Sequence, residues 1–138
     1  MKLRLSAVLD LRIAAEEAAK RELGRLERER SEMVVRRGAH IADIEQAGRT
    51  PVPARMREVL SAFILATRRA VAELDGRIAE QDGRIAAARS ALAQAHREVK
   101  AIEAIRARDA AQAARIALRR EARANDEHAA RIRMEALA

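Results

Sequence analysis

Read from Leu60 in alternating steps of four and three, the chain meets Ile64, Thr67, Val71, Leu74, Ile78, Gln81, Ile85, Ala88, Leu92, Ala95, Val99 and Ile102. Eleven of these thirteen positions are apolar, across six heptads. A seam with that spacing is the condition for knobs-into-holes packing in a left-handed coiled coil. The first third of the chain is less regular. Leu5, Leu9, Ala19, Leu23 and Leu26 share one register, and the pattern then slips near Arg30 into Met33, Val34, Ile41 and Ile44. Such a slip unwinds a coil locally.

One place interrupts the helical period. Gly48-Arg49-Thr50-Pro51-Val52-Pro53 holds both prolines of the chain. Proline has no amide donor and is tolerated only in the first turn of a helix. The pattern therefore predicts an all-α, antiparallel two-helix coiled-coil hairpin over residues 1–138. Its first helix covers about 3–47 with Gly48 as C-cap, and its turn covers 48–53. Its second helix covers about 54–136, with Thr50 as N-cap. Folding the chain at residues 51–52 sets Ile44 opposite Leu60, Ile41 opposite Ile64, Leu26 opposite Ile78, Leu9 opposite Ala95 and Leu5 opposite Val99. At ~1.5 Å per residue the paired part is about 70 Å long, and the last 38 residues extend beyond it by about 55 Å. In that overhang the seam decays to Ile105, Ile116 and Ile132 among Ala and Arg. Isolated helices are marginal in water, so the overhang is expected to need a partner.

Composition narrows the class further. The 138 residues include 34 Ala, 25 Arg, one Phe and no Trp, Tyr or Cys. That excludes an ordinary close-packed globular core, which draws on aromatics and large aliphatics. It also excludes a disulfide framework or a thiolate metal site. No run approaches the ~20 apolar residues of a membrane span. At the N-terminus Asp10, Arg12 and Glu16 interrupt any apolar core, so the opening is not read as a secretory signal and the expected location is the cytoplasm. The net charge of +7 is dispersed and interleaved with acids, as in Arg25-Leu26-Glu27-Arg28-Glu29-Arg30. This suits helix faces laced with ion pairs better than a nucleic-acid arm, which concentrates its charge.

Candidate chemistry is sparse. His40, His96 and His128 are far apart in the hairpin register and cannot share a metal. No Gly-rich phosphate loop, Gly-x-Ser-x-Gly or His-Glu-x-x-His occurs, and a two-helix coil offers no enclosed cavity. No catalytic residue, cofactor or metal site is therefore expected. Near the turn, Met56, Val59 and Phe63 line up beside the seam with Leu65 close by. Either the end of the first helix covers them, or they form a contact patch for a partner. Arg30, Arg37 and Arg106 occupy seam positions, where a polar residue sets register at some cost in stability.

The two ends of the chain resemble the flagellar export protein FliJ and its injectisome counterpart of the YscO kind. The resemblance rests on Leu5-Ser6-Ala7-Val8-Leu9-Asp10-Leu11-Arg12 with Glu16-Glu17-Ala18-Ala19 and Glu22-Leu23 at the start. It continues in Glu98-Val99-Lys100-Ala101-Ile102-Glu103-Ala104-Ile105-Arg106-Ala107-Arg108, in Arg119-Arg120-Glu121 and in Asn125-Asp126-Glu127-His128-Ala129-Ala130-Arg131. It implies a non-enzymatic stalk that couples ATP hydrolysis to type III export in the service of motility. The termini end would enter a hexameric export ATPase, for which Arg119, Arg120, Arg123, Asp126, Glu127 and Arg131 are the candidate contacts. The other end would approach the cytoplasmic domain of the membrane export gate, with Met56, Val59 and Phe63 as candidates, and export chaperones would be further partners. The protein would then sit peripherally at the inner-membrane apparatus, without membrane insertion. The alternatives are a generic cytoplasmic coiled-coil scaffold or chaperone and, less well supported by the dispersed charge and missing aromatics, a basic helical nucleic-acid binder.

Overall fold

The computed structural model describes residues 2–138, with side chains from residue 4 onward. Helix α1 runs Lys2–Arg49 and helix α2 runs Arg57–Leu137, with a 3-10 turn over Ala54–Met56 between them. No strand occurs among the described residues. The two long helices pack against each other antiparallel as a helical hairpin. The chain divides into two compact units: Ala14–His96, and the segment through Ile13 together with Arg97–Ala138.

Within the larger unit, the ends of the helices explain the turn. α1 continues through Gly48, and no described residue has positive φ, so Gly48 does not end the helix in a left-handed conformation. Thr50 closes it instead. Its amide donates to the Gln46 carbonyl at 3.1 Å and its hydroxyl donates to the same oxygen at 2.8 Å. Thr50 is thus a C-terminal stop for α1 rather than an N-cap for α2. The residue before a proline is driven to extended backbone and proline itself fixes φ, so Thr50-Pro51-Val52-Pro53 runs extended, with Pro53 at φ −57°, ψ 151°. α2 then opens without a side-chain cap, on the bond from the Met56 amide to the Pro53 carbonyl at 2.9 Å.

That extended segment brings the two helices to roughly their observed level. Polyproline-like chain climbs ~3.1 Å per residue against ~1.5 Å for helix, so four such residues offset about eight helical ones. α2 must descend by that amount before it is level with the end of α1. Leu26 accordingly packs with Ile85 and Ala88, not with Ile78 as the fold line at 51–52 requires. The displacement is one heptad, so seam still meets seam but every partner changes.

The α2 seam is as the period predicts. All thirteen positions from Leu60 to Ile102 are buried or half-buried, with Leu74, Ile85, Ala88 and Val99 among the most enclosed. The α1 seam does not slip. Its inward positions in this unit continue by threes and fours through Glu16, Ala19, Leu23, Leu26, Arg30, Met33, Arg37, His40, Ile44 and Ala47. Val34 lies outside the line and is exposed. The apparent slip arises because Arg30, Arg37 and His40 hold seam positions that a purely apolar pattern skips.

Polar groups in the seam are paired. Gln81, only 1% exposed, donates from Nε2 to the Leu26 carbonyl at 3.0 Å and to Glu29 Oε2 at 3.1 Å. Arg30 Nε meets Asp82 Oδ1 at 2.5 Å, and Arg37 pairs with Asp75. Thr67 donates its hydroxyl to the Phe63 carbonyl at 2.8 Å. Toward the other end of this unit, Glu16 lies 3.5 Å from His96 Nδ1 and 3.3 Å from Lys20 Nζ. Partial burial pushes the Glu16 carboxyl up, but the hydrogen bonds from His96 and Lys20 outweigh it and hold its pKa below the usual value. No buried side-chain polar atom among the described residues lacks a partner.

In the smaller unit Leu9 and Val99 are buried, and Arg12 pairs with Glu98 at 2.8 Å. Leu5 and Ser6 line a shallow groove with Arg106, Asp109 and Ala110, so Leu5 does not face Val99. Arg106 is exposed there rather than seated in a seam. Because the register is displaced by a heptad, α1 reaches about residue 110 of α2, and the uncovered segment is shorter than the sequence count gives.

With no native cysteine, the register can be read chemically. Cysteines at Leu26 and Ile85 should form an intrachain disulfide readily under mild oxidation, whereas cysteines at Leu26 and Ile78 should not. The reverse preference, read by gel mobility and mass spectrometry, would place the helices one heptad away from the arrangement described.

Candidate partner-binding surfaces

Two surfaces carry the residues singled out from the sequence, one in each unit. In the larger unit α2 begins immediately after two prolines, and its first turns project side chains before the seam becomes enclosed. Met56 is 43% exposed, Val59 60% and Phe63 47%. Leu65 is also exposed. The end of α1 does not enclose them, so the first of the two possibilities left by the period does not hold. Met56, Val59 and Phe63 follow one another by three and four, so they share one edge of the helix beside the seam. Arg55 and Arg57 stand among them, both exposed. The result is an apolar strip with a basic margin, and the only aromatic ring of the chain lies in it.

The second surface is the C-terminal part of α2. Every residue from Glu103 to the C-terminus is exposed within its unit. Arg120, Arg123, Glu127 and Arg131 recur by three and four along one face, and Arg119 and Asp126 border it. All six are therefore brought to one broad side of a helix. Glu127 and Arg131 have the spacing of a stabilising pair yet are not in ion-pair contact, so both present their charge to solvent. Apolar side chains are exposed on the same segment: Ile116 at 43%, Leu118 at 65% and Ile132 at 53%.

Among the described residues, no three His, Asp or Glu side chains are grouped to hold a metal ion. His40 is half-buried in the α1 seam, His96 is engaged with Glu16, and His128 is exposed. Among the described residues, no helix is long and apolar enough to cross a membrane. What the period did not reveal are the aspartates that answer the seam arginines. Their signal is present: Arg30 and Arg37 are seven apart, as are Asp75 and Asp82, so antiparallel pairing satisfies both in a single register.

The fold is an antiparallel coiled-coil hairpin, and the candidate partner-binding residues lie on exposed helix faces. The flagellar FliJ protein family matches residues 1–136, and the chain belongs to that family. It is a component of the flagellar export apparatus. No curated protein and no solved structure matches the chain.

Exposure makes the role of Phe63 measurable. Truncating a buried Phe costs ~3–5 kcal/mol; Phe63→Ala should cost far less in chemical denaturation, while Leu74→Ala, at a position 5% exposed, should cost about 2–4 kcal/mol. Equal losses from the two variants would mean that Phe63 belongs to the core.

Proposed function

We propose that this chain is a non-enzymatic stalk that couples the hexameric export ATPase to the cytoplasmic domain of the membrane export gate. The C-terminal segment of α2 engages the ATPase through Arg119, Arg120, Arg123, Asp126, Glu127 and Arg131. The strip of Met56, Val59 and Phe63 engages the gate. These contacts hold the protein at the cytoplasmic side of the inner-membrane apparatus, where it also receives export chaperones.

The observation that carries this reading is the uncovered helix beyond about residue 110 in a member of the FliJ family. A helix of this length with no covering element is marginal in water. A protein that encloses it would remove Ile116, Leu118 and Ile132 from solvent and answer its charges. The gate assignment draws on the exposed strip, because contact energy concentrates in aromatic and large apolar anchors with a polar rim. Both contacts use rigid helical surfaces, which suits a part that transmits force rather than one that performs chemistry.

Deleting residues 115–138 should abolish binding to the purified export ATPase and the stimulation of its hydrolysis, measured by pull-down and phosphate release. The shortened hairpin should keep its cooperative thermal transition. Undiminished stimulation by the truncated chain would remove the C-terminal segment from the ATPase contact.

A further inference from the structure

The uncovered part of α2 is patterned on the side away from the arginine-rich face as well. Counting by four and three, Leu118, Ala122, Asn125, Ala129 and Ile132 fall on one line that carries no charge, and all are exposed. Arg119 and Asp126 border this line on one side; Glu121 and His128 border it on the other. An apolar line with charged borders is the pattern of a coiled-coil contact, and here the borders specify which second helix fits.

A parallel copy would set Glu121 against the partner's Asp126. An antiparallel copy with Asn125 level with the partner's Ala129 would set Arg119 against the partner's Arg133 and Glu121 against the partner's Glu135. Like charges across such borders are destabilising. One heptad away, an antiparallel copy centred between Arg123 and Ala124 sets Arg119 against the partner's Asp126 and Glu121 against the partner's His128. The two-fold makes each of these pairs occur twice. In the same packing Leu118 meets the partner's Ala129 and Ala122 meets the partner's Asn125, while Ile132 meets the partner's Arg115. The opposing term is Arg115, which enters the line opposite the partner's Ile132 at the two ends of the contact, where its stem lies along the apolar side chain and its head reaches water.

We propose that this face of α2 is a docking surface for a second copy of the same chain, packed antiparallel about the point between Arg123 and Ala124. The contact uses Arg119 and Asp126, two of the residues assigned above to the ATPase. Self-association and ATPase binding therefore exclude one another, and the dimer stores the C-terminal helix until the ATPase takes its place. The dimer itself does not depend on the ATPase assignment, because the charge pattern that selects it lies within one chain.

The test uses the full chain in sedimentation equilibrium. The wild type should dimerise with increasing concentration. Arg119→Asp sets a carboxylate against the partner's Asp126 twice and should weaken the dimer roughly tenfold or more; Asp126→Arg should do the same. Combining the two reverses both charges and should restore the dimer, while Arg120→Asp, on the opposite face, should leave it unchanged. Circular dichroism of each variant at matched concentration checks that the helix is retained. A wild type that stays monomeric at high micromolar concentration would overturn the proposal. So would single variants that dimerise like the wild type, a double variant weaker than either single one, or an Arg120→Asp effect as large as that of Arg119→Asp.

Discussion

Arg30 and Arg37 occupy places in the α1 seam where a coiled coil ordinarily puts aliphatic side chains, and each is answered across the helices by an aspartate. Asp82 and Asp75 lie at the α2 flank, and Gln81 reaches from the enclosed layer beside them to the Leu26 carbonyl. Sliding α2 by one heptad would preserve a continuous apolar seam. It would leave only one of these pairings, Arg30 with Asp75, while setting Arg37 against Arg68 and Asp82 against Leu23. Each exposed ion pair alone contributes little. The difference between the two registers combines lost pairs, a new like-charge contact and a displaced buried amide, all in the same direction. The extended Thr50–Pro53 segment brings the helices to roughly the right level, and the polar layers choose among the heptad-spaced possibilities.

The candidate surfaces depend on the same choice within each unit. In the larger one, the climb through the two prolines lifts the start of α2 past the end of α1 and leaves Met56, Val59 and Phe63 without cover. In the smaller one, the first residues of α1 lie against α2 as far as about residue 110, and everything beyond is available to partners. The chain thus commits most of its α2 aliphatic residues as far as Ile102 to one seam and leaves exposed apolar side chains at the start of α2 and beyond Ile102. This is the distribution expected of a protein that works by being gripped.

Much of this was legible in the sequence. The α2 seam could be read position by position because eleven of its thirteen residues are apolar and the period is unbroken. In α1, Arg30 and Arg37 were read as seam positions and hold them, but His40 was missed and the seam was taken to slip, since hydropathy registers all three residues as gaps. The register was misplaced because periodicity is blind to a shift of a whole repeat. Counting residues across the turn also treats extended chain as though it rose no faster than helix. The exposed positions of the ATPase and gate candidates followed once the register was known. The proposed partners rest on family membership and on the chemistry of the faces, since no local motif in the sequence specifies a partner.

The central claim is that polar layers, rather than the apolar seam or the loop, fix the register. It can be tested by making the seam wholly apolar with Arg30→Leu, Arg37→Leu and Gln81→Leu in one chain. Spin labels at the exposed positions Ala39 and Ala72 then report the register by pulsed electron resonance. With the native seam the labels should give one narrow distance distribution. The apolar variant should melt at higher temperature yet acquire a second population, displaced along the axis by about 10 Å, the rise of one heptad. A single unchanged distribution in the apolar variant would contradict the account and assign the register to the proline segment alone.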